Sequence, residues 1–66
     1  MAVARVTKIT AASNKSFQDA VDQGLSRAAE TLRGITGLEV ISQKAAVTDG
    51  KISEYRSTIE VTFVLD

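Results

Sequence analysis

The final stretch of the chain alternates with period two. Ser53, Tyr55, Ser57, Ile59, Val61, Phe63 and Leu65 fall on one side of an extended chain. Glu54, Arg56, Thr58, Glu60, Thr62 and Val64 fall on the other. Only a β-strand produces this pattern, and it sets one face to be buried. The other face is amphiphilic and meets either water or another subunit. Near the start, Val3 to Thr10 is rich in β-branched residues and reads as a shorter strand. Its alternation is imperfect, because Val6 and Ile9 lie on opposite faces unless a bulge intervenes.

Ala11-Ala12-Ser13-Asn14 breaks that strand, with Ser13 or Asn14 as the helix N-cap. A helix is then predicted to about Arg33. Phe17, Val21, Leu25, Ala28 and Leu32 form one stripe at helical spacing. Asp19, Gln23, Ser26, Arg27 and Glu30 lie mainly off it, and Asp22 and Ser26 share a second, polar flank. Gly24 costs about 1 kcal/mol relative to alanine inside a helix. It marks either the close approach of another backbone or a tolerated surface glycine. Arg33-Gly34 provides the stop.

Leu38 to Thr48 reads as a second long strand, and Asp49-Gly50 as a two-residue hairpin turn. That turn sets Thr48 opposite Lys51, Val47 opposite Ile52, Gln43 opposite Arg56 and Glu39 opposite Glu60. The expected fold is α+β, with the order β-α-β-β. The last strand lies between the other two in a three-stranded antiparallel sheet, and the helix covers one face.

Size changes the picture. Sixty-six residues make a single small domain over residues 1–66. Such a chain buries only about 60% of the surface it exposes when unfolded. Ordering it costs roughly 1.5 kcal/mol per residue, on the order of 100 kcal/mol in all. With no Cys and no His, neither a disulfide nor a zinc site of the usual kind can supply a staple. Association with copies of itself is the staple that remains.

Charge narrows the partners. Eight basic residues balance eight acidic ones, and the aromatics are only Phe17, Tyr55 and Phe63. That argues against nucleic acid. No apolar run has the length of a membrane span, and Val3 to Ile9 is interrupted by Arg5, Thr7 and Lys8. The expected location is the cytoplasm.

Catalytic chemistry is weakly represented. There is no imidazole to act as a base near neutral pH and no thiol nucleophile, and the lysines sit in polar contexts. The chain reads as a non-enzyme. Glu39 and Glu60 are like charges on one face and have two readings. They can hold a hard cation such as Ca²⁺ or Mg²⁺ through carboxylate oxygens, or pair separately with Arg or Lys of neighbouring strands or subunits. A hairpin bulge would remove their adjacency. Arg56 either grips an anionic or planar ligand or partners an acid such as Glu54 or Glu39. Tyr55 is assigned to the core or a subunit contact, Asp49 to the turn, and Asp19, Asp22 and Glu30 to the solvated helix face.

Several segments, in order, resemble the dodecins. They are Arg5-Val6-Thr7-Lys8-Ile9, a small-residue break ending at Ser13, Ser26-Arg27-Ala28-Ala29-Glu30-Thr31-Leu32-Arg33, Leu38-Glu39-Val40, and Glu60-Val61-Thr62-Phe63-Val64-Leu65-Asp66. The resemblance implies a β-α-β-β subunit whose sheet wraps one helix, assembled into a hollow homododecamer. It implies a flavin ligand, FMN or riboflavin, that is stored or quenched rather than turned over. Flavin-binding dodecins stack a Trp on the isoalloxazine ring at the position of Gly37 and hydrogen-bond its polar edge with a Gln at the position of Arg56. This chain keeps neither, and it contains no Trp. The resemblance thus points to a Trp-less dodecin-like shell that changes or drops its ligand. Some Trp-less relatives are associated with calcium.

Overall fold

The computed structural model describes residues 3–65; Asp66, the end of the terminal motif, lies outside them. The elements are β1 (Val3–Ser13), α1 (Phe17–Thr31), β2 (Ile35–Thr48) and β3 (Lys51–Leu65). They form one antiparallel sheet in the order β1-β3-β2. The terminal strand is central, as its clean alternation predicts. With both edges paired and one face under the helix, Ser57, Ile59 and Val61 are fully buried. Val21 and Ala28 of α1 pack on Ile59 and Val61, flanked by Ile9, Leu32, Ile35 and Leu38. Ile59 and Val61 contribute roughly 1.5–3 kcal/mol each by burial.

The strand-to-helix junction differs from the sequence expectation. β1 continues past Thr10 to Ser13, because β3 is long enough to pair Ala11 with Ser57, Ala12 with Arg56 and Ser13 with Tyr55. Ladder pairing overrides the weak strand propensity of the alanines. The N-cap is therefore Ser16, not Ser13 or Asn14; its Oγ accepts the Asp19 N–H at 2.9 Å. Ser13 is buried and serves as a hinge pin. Its Oγ accepts the Lys15 N–H at 2.9 Å and donates to Asp19 Oδ2 at 2.5 Å. Gln23 donates to the same carboxylate oxygen at 2.6 Å. Asp19 thus belongs to the junction rather than to the free helix face. The bonds from Ser13 and Gln23 hold its carboxyl below the usual value against a smaller opposing effect of desolvation, with Lys15 helping.

The helix also ends earlier than Arg33. Leu32 is extended (φ −102°, ψ 142°) and its N–H closes on the Ala28 carbonyl at 2.8 Å. Gly34 follows with φ 74°, and its carbonyl accepts the Val64 N–H at 3.0 Å. A Cβ there would lie 3.0 Å from the Val64 carbonyl oxygen, so both conformation and proximity require glycine. This tight reversal lets β2 begin at Ile35, ahead of the expected Leu38.

The helix stripe is narrower than predicted. Ala20, Val21, Gly24 and Ala28 are buried, whereas Phe17, Leu25 and Leu32 are half-buried. Small residues face the sheet, and Gly24 is buried among them, so it is not a surface glycine; what approaches it closely is side chains rather than another backbone. A Cβ at Gly24 would sit 3.2 Å from Ala11 Cβ and 3.4 Å from Ile59 Cδ1.

The hairpin keeps its predicted turn, with Asp49 at φ 53° and Gly50 at φ 75°. Beyond it the β2–β3 register shifts at Ala46/Val47, Val40/Ser42 and Ile35/Gly37. The first shift leaves Ser53 without a partner on β2, so Gln43 faces Ser57 and Lys44 faces Arg56. The expected Gln43–Arg56 pair is not formed. The second shift leaves Ile41 unpaired on the other strand and cancels the first. Glu39 therefore returns opposite Glu60, as expected. Each bulge bends its strand and raises local twist, which is how the sheet curves around α1. β1 pairs with β3 without a shift, so Val6 does face away from Ile9 and remains exposed.

Candidate functional site: the outer face of the sheet

The face of β3 turned away from α1 carries Glu54, Arg56, Thr58, Glu60, Thr62 and Val64. In register, it forms rows across all three strands. Ala12, Arg56 and Lys44 make one; Thr10, Thr58 and Ser42 the next; then Lys8, Glu60 and Glu39; then Val6, Thr62 and Gly37. Thr10 and Thr58 share a hydroxyl hydrogen bond of 2.8 Å.

The carboxylates expected to be neighbours are brought together. Glu60 is half-buried on the central strand and Glu39 exposed on the edge strand. Directly opposed like charges are destabilising. Lys8 is in register with Glu60 on its other side and is the nearest cation along that row. Lys8 was not identified from sequence as part of this group, since nothing local fixes the β1–β3 register. Among the described residues, Lys8 makes no ion pair within 4 Å with either acid, and no group of three or more His, Cys, Asp or Glu residues converges. Calcium takes six to eight oxygens, so the two carboxylates of one chain supply only part of a shell.

Arg56 is engaged in its own strand. Its Nε donates to Glu54 Oε1 at 2.5 Å, the acid pairing that is the alternative to ligand binding. Lys44, its cross-strand neighbour, makes this end of the face basic. Tyr55, on the inner face, meets Phe17 edge-on with ring centroids 5.0 Å apart, a core contact.

Gly37 lies on the exposed outer face opposite Thr62, with no positive φ, and a Cβ built there meets no atom within 4 Å. The backbone therefore does not require glycine. What is missing is a side chain, not space for one. Gly37 and Arg56 are six residues apart in β3 register, about 20 Å along the strand. One subunit does not bring them together; any ligand that touched both kinds of position would have to lie between copies. Among the described residues, the single chain forms no enclosing cavity, and no helix is long and apolar enough to cross a membrane.

Comparison with known proteins places this geometry. The family model for dodecin matches residues 3–66. No curated protein matches the chain. Among solved structures it is similar to the dodecin from Streptomyces davaonensis, at 32% identity and a TM-score of 0.93, over 98% of this chain and 96% of that one. It is similar to a point variant of the Thermus thermophilus dodecin at 26% identity and a TM-score of 0.95, over 100% and 98% of the two chains. It is also similar to a calcium dodecin of Mycobacterium tuberculosis, described as calcium-chelating with a novel calcium-binding site. That match has 34% identity and a TM-score of 0.83, over 97% and 91%. The match spans the whole β-α-β-β subunit, including the central terminal strand and the hairpin; this chain belongs to the dodecin family.

Proposed function

We propose that this chain is a non-enzymatic, cytoplasmic small-molecule binding or storage protein that acts as a homododecameric shell, with weak or absent flavin binding at the usual family site. The observation that carries the reading is Gly37, a strand position with room for a side chain and no ring to stack on a ligand. Arg56 adds to it, because a donor-only guanidinium, its Nε bonded to Glu54, stands where the family's Gln does. Self-association is supported by the small core: among the described residues the buried apolar ones are Ala20, Val21, Ala28, Ile59 and Val61, two of them alanine. A core this size rarely supplies more than about 3–5 kcal/mol.

The test pairs native mass spectrometry with a flavin titration. The expected particle contains twelve subunits without retained flavin. FMN and riboflavin fluorescence should be quenched only at high protein concentration. A sub-micromolar dissociation constant for either flavin would overturn the ligand reading, and a seven-kilodalton particle at every concentration would overturn the shell.

A second reading is favoured by one observation, the Glu39–Glu60 opposition, together with the similarity to a calcium dodecin. In it, copies of the chain contribute Glu39 and Glu60 to a shared calcium site. Calcium should then raise the melting temperature of the wild type and leave Glu60→Gln unmoved. Indifference of the wild type to calcium and to chelator would end this reading.

A further inference from the structure

The two opposite register shifts in the hairpin act as one device. The turn holds one end of the β2–β3 ladder, with Thr48 opposite Lys51 and Val47 opposite Ile52. The same register returns further on, with Val40 opposite Ile59 and Glu39 opposite Glu60. Between these ends, residues 42–46 and 54–58 pair one residue out of step, and Ser53 and Ile41 are left over. With both ends held, one shift cannot disappear unless the other does. The block therefore has two self-consistent registers, the observed one and an unbroken one.

The unbroken register has two advantages. It pairs residues 41–46 with 53–58, one pair more than the five observed. It also sets Gln43 beside Arg56, whereas the observed register opposes Lys44 to Arg56, and directly opposed like charges are destabilising. The observed register turns Val47, which alternates with Ala45, and its partner Ile52 to the helix-bearing face. That face gives them little, since they stay 64% and 51% exposed. What favours the observed register is Ala45 set against Tyr55 and the side chain of Ser53. Ser53 Oγ donates to the Ala46 carbonyl at 3.2 Å and accepts from Thr48 Oγ1 at 3.3 Å. Both bonds reach across to β2 where the ladder is interrupted. A paired residue holds its side chain off the sheet, away from its partner's carbonyl, so the bond to Ala46 requires Ser53 to be bulged.

We infer that Ser53 is a positioning residue for the outer face: its hydroxyl pins the bulge and thereby keeps Lys44, rather than Gln43, beside Arg56. The consequence is the charge of that end of the face, where the row through Ala12 and Arg56 carries two cations instead of one. This goes beyond the shell reading, because it concerns one hairpin with or without a ligand.

The chain contains no Cys, so cross-strand disulfides report the register. Opposed residues have Cα atoms about 4.5–5.5 Å apart, a span a disulfide bridges, whereas side chains on opposite faces point apart. Lys44→Cys/Arg56→Cys and Gln43→Cys/Arg56→Cys are each combined with Ser53, Ser53→Thr, Ser53→Ala and Ser53→Val and equilibrated with reduced and oxidised glutathione. Mass spectrometry of the denatured, unreduced chain measures intramolecular bridging, and circular dichroism monitors folding. With Ser53 or Ser53→Thr, the 44–56 bridge should be favoured over the 43–56 bridge. Ser53→Ala and Ser53→Val lose both bonds and should cut that preference by at least about fivefold. An unchanged preference in these two variants, or an equal loss in Ser53→Thr, overturns the inference. If Ser53→Val unfolds, Ser53→Ala decides by the same criterion. Deleting Ser53 removes the extra residue and leaves the observed pairs in an unbulged ladder, so the 44–56 bridge should form as in the wild type. Its replacement there by the 43–56 bridge also overturns the inference.

Discussion

Replacing Gly37 by Trp tests the ligand reading most directly. Position 37, just past the Ile35/Gly37 register shift, has no positive φ, and a Cβ there would meet nothing within 4 Å. The substitution should therefore fold. Strand propensity, which spans about 1 kcal/mol between residues, favours Trp over Gly. Each base–aromatic stacking contact is worth about 1–3 kcal/mol, and a similar value is expected for a flavin ring. If symmetry-related copies bring a Trp to both faces of one flavin, two contacts supply about 2–6 kcal/mol, or about 30- to 25,000-fold in affinity. Arg56→Gln in the same chain should add less, about 0.5–1.5 kcal/mol for one net hydrogen bond, and would free Glu54. The assay is quenching of flavin fluorescence by the wild type, Gly37→Trp and Gly37→Trp/Arg56→Gln, with assembly verified by native mass spectrometry. An assembled Gly37→Trp protein with wild-type flavin affinity would refute the reasoning, since the missing ring would then not be what separates this chain from flavin binders.

Other expectations concern the subunit. Ile59→Ala removes a fully buried side chain and should destabilise the subunit by about 2–5 kcal/mol, read as a fall in melting temperature at matched protein concentration; an unchanged melting temperature would contradict its place in the core. Gly24→Val should destabilise by about 1–3 kcal/mol despite better helix propensity, because Ala11 Cβ and Ile59 Cδ1 occupy the space; a raised melting temperature would contradict the close packing. Ser16→Ala should cost about 1 kcal/mol through loss of the N-cap, read as a shift in the urea midpoint. Asp19 has a lowered folded pKa, so its stabilisation is present above the ordinary carboxylate pKa and lost as pH falls through the lower folded value. Asp19→Asn should flatten the acid limb of the stability–pH curve, and an unchanged limb would refute the linkage.

The periodicity of residues 53–65 is written in the chain because a centrally paired strand with one buried face leaves an alternating record. The Asp49-Gly50 turn is equally legible, since few residue pairs accept positive φ twice. Together these two features already give strand order and the Glu39–Glu60 opposition. The helix–sheet junction was not legible. Ala11 and Ala12 are poor strand residues, and only their pairing with Ser57 and Arg56 holds them extended, which moves the cap to Ser16. Bulges were not legible either, because no local residue announces that Ser53 and Ile41 lack partners. Two opposite shifts cancel at Glu39 but not at Gln43, so the same register rule succeeded at one pair and failed at the other. Lys8 next to Glu60, and Val47 with Ile52 on the helix-bearing face, follow from contacts far apart in sequence. Sequence alone settles what each segment prefers and which face it must hide; only the folded sheet determines which residues stand side by side, because register is a property of two strands and not of one.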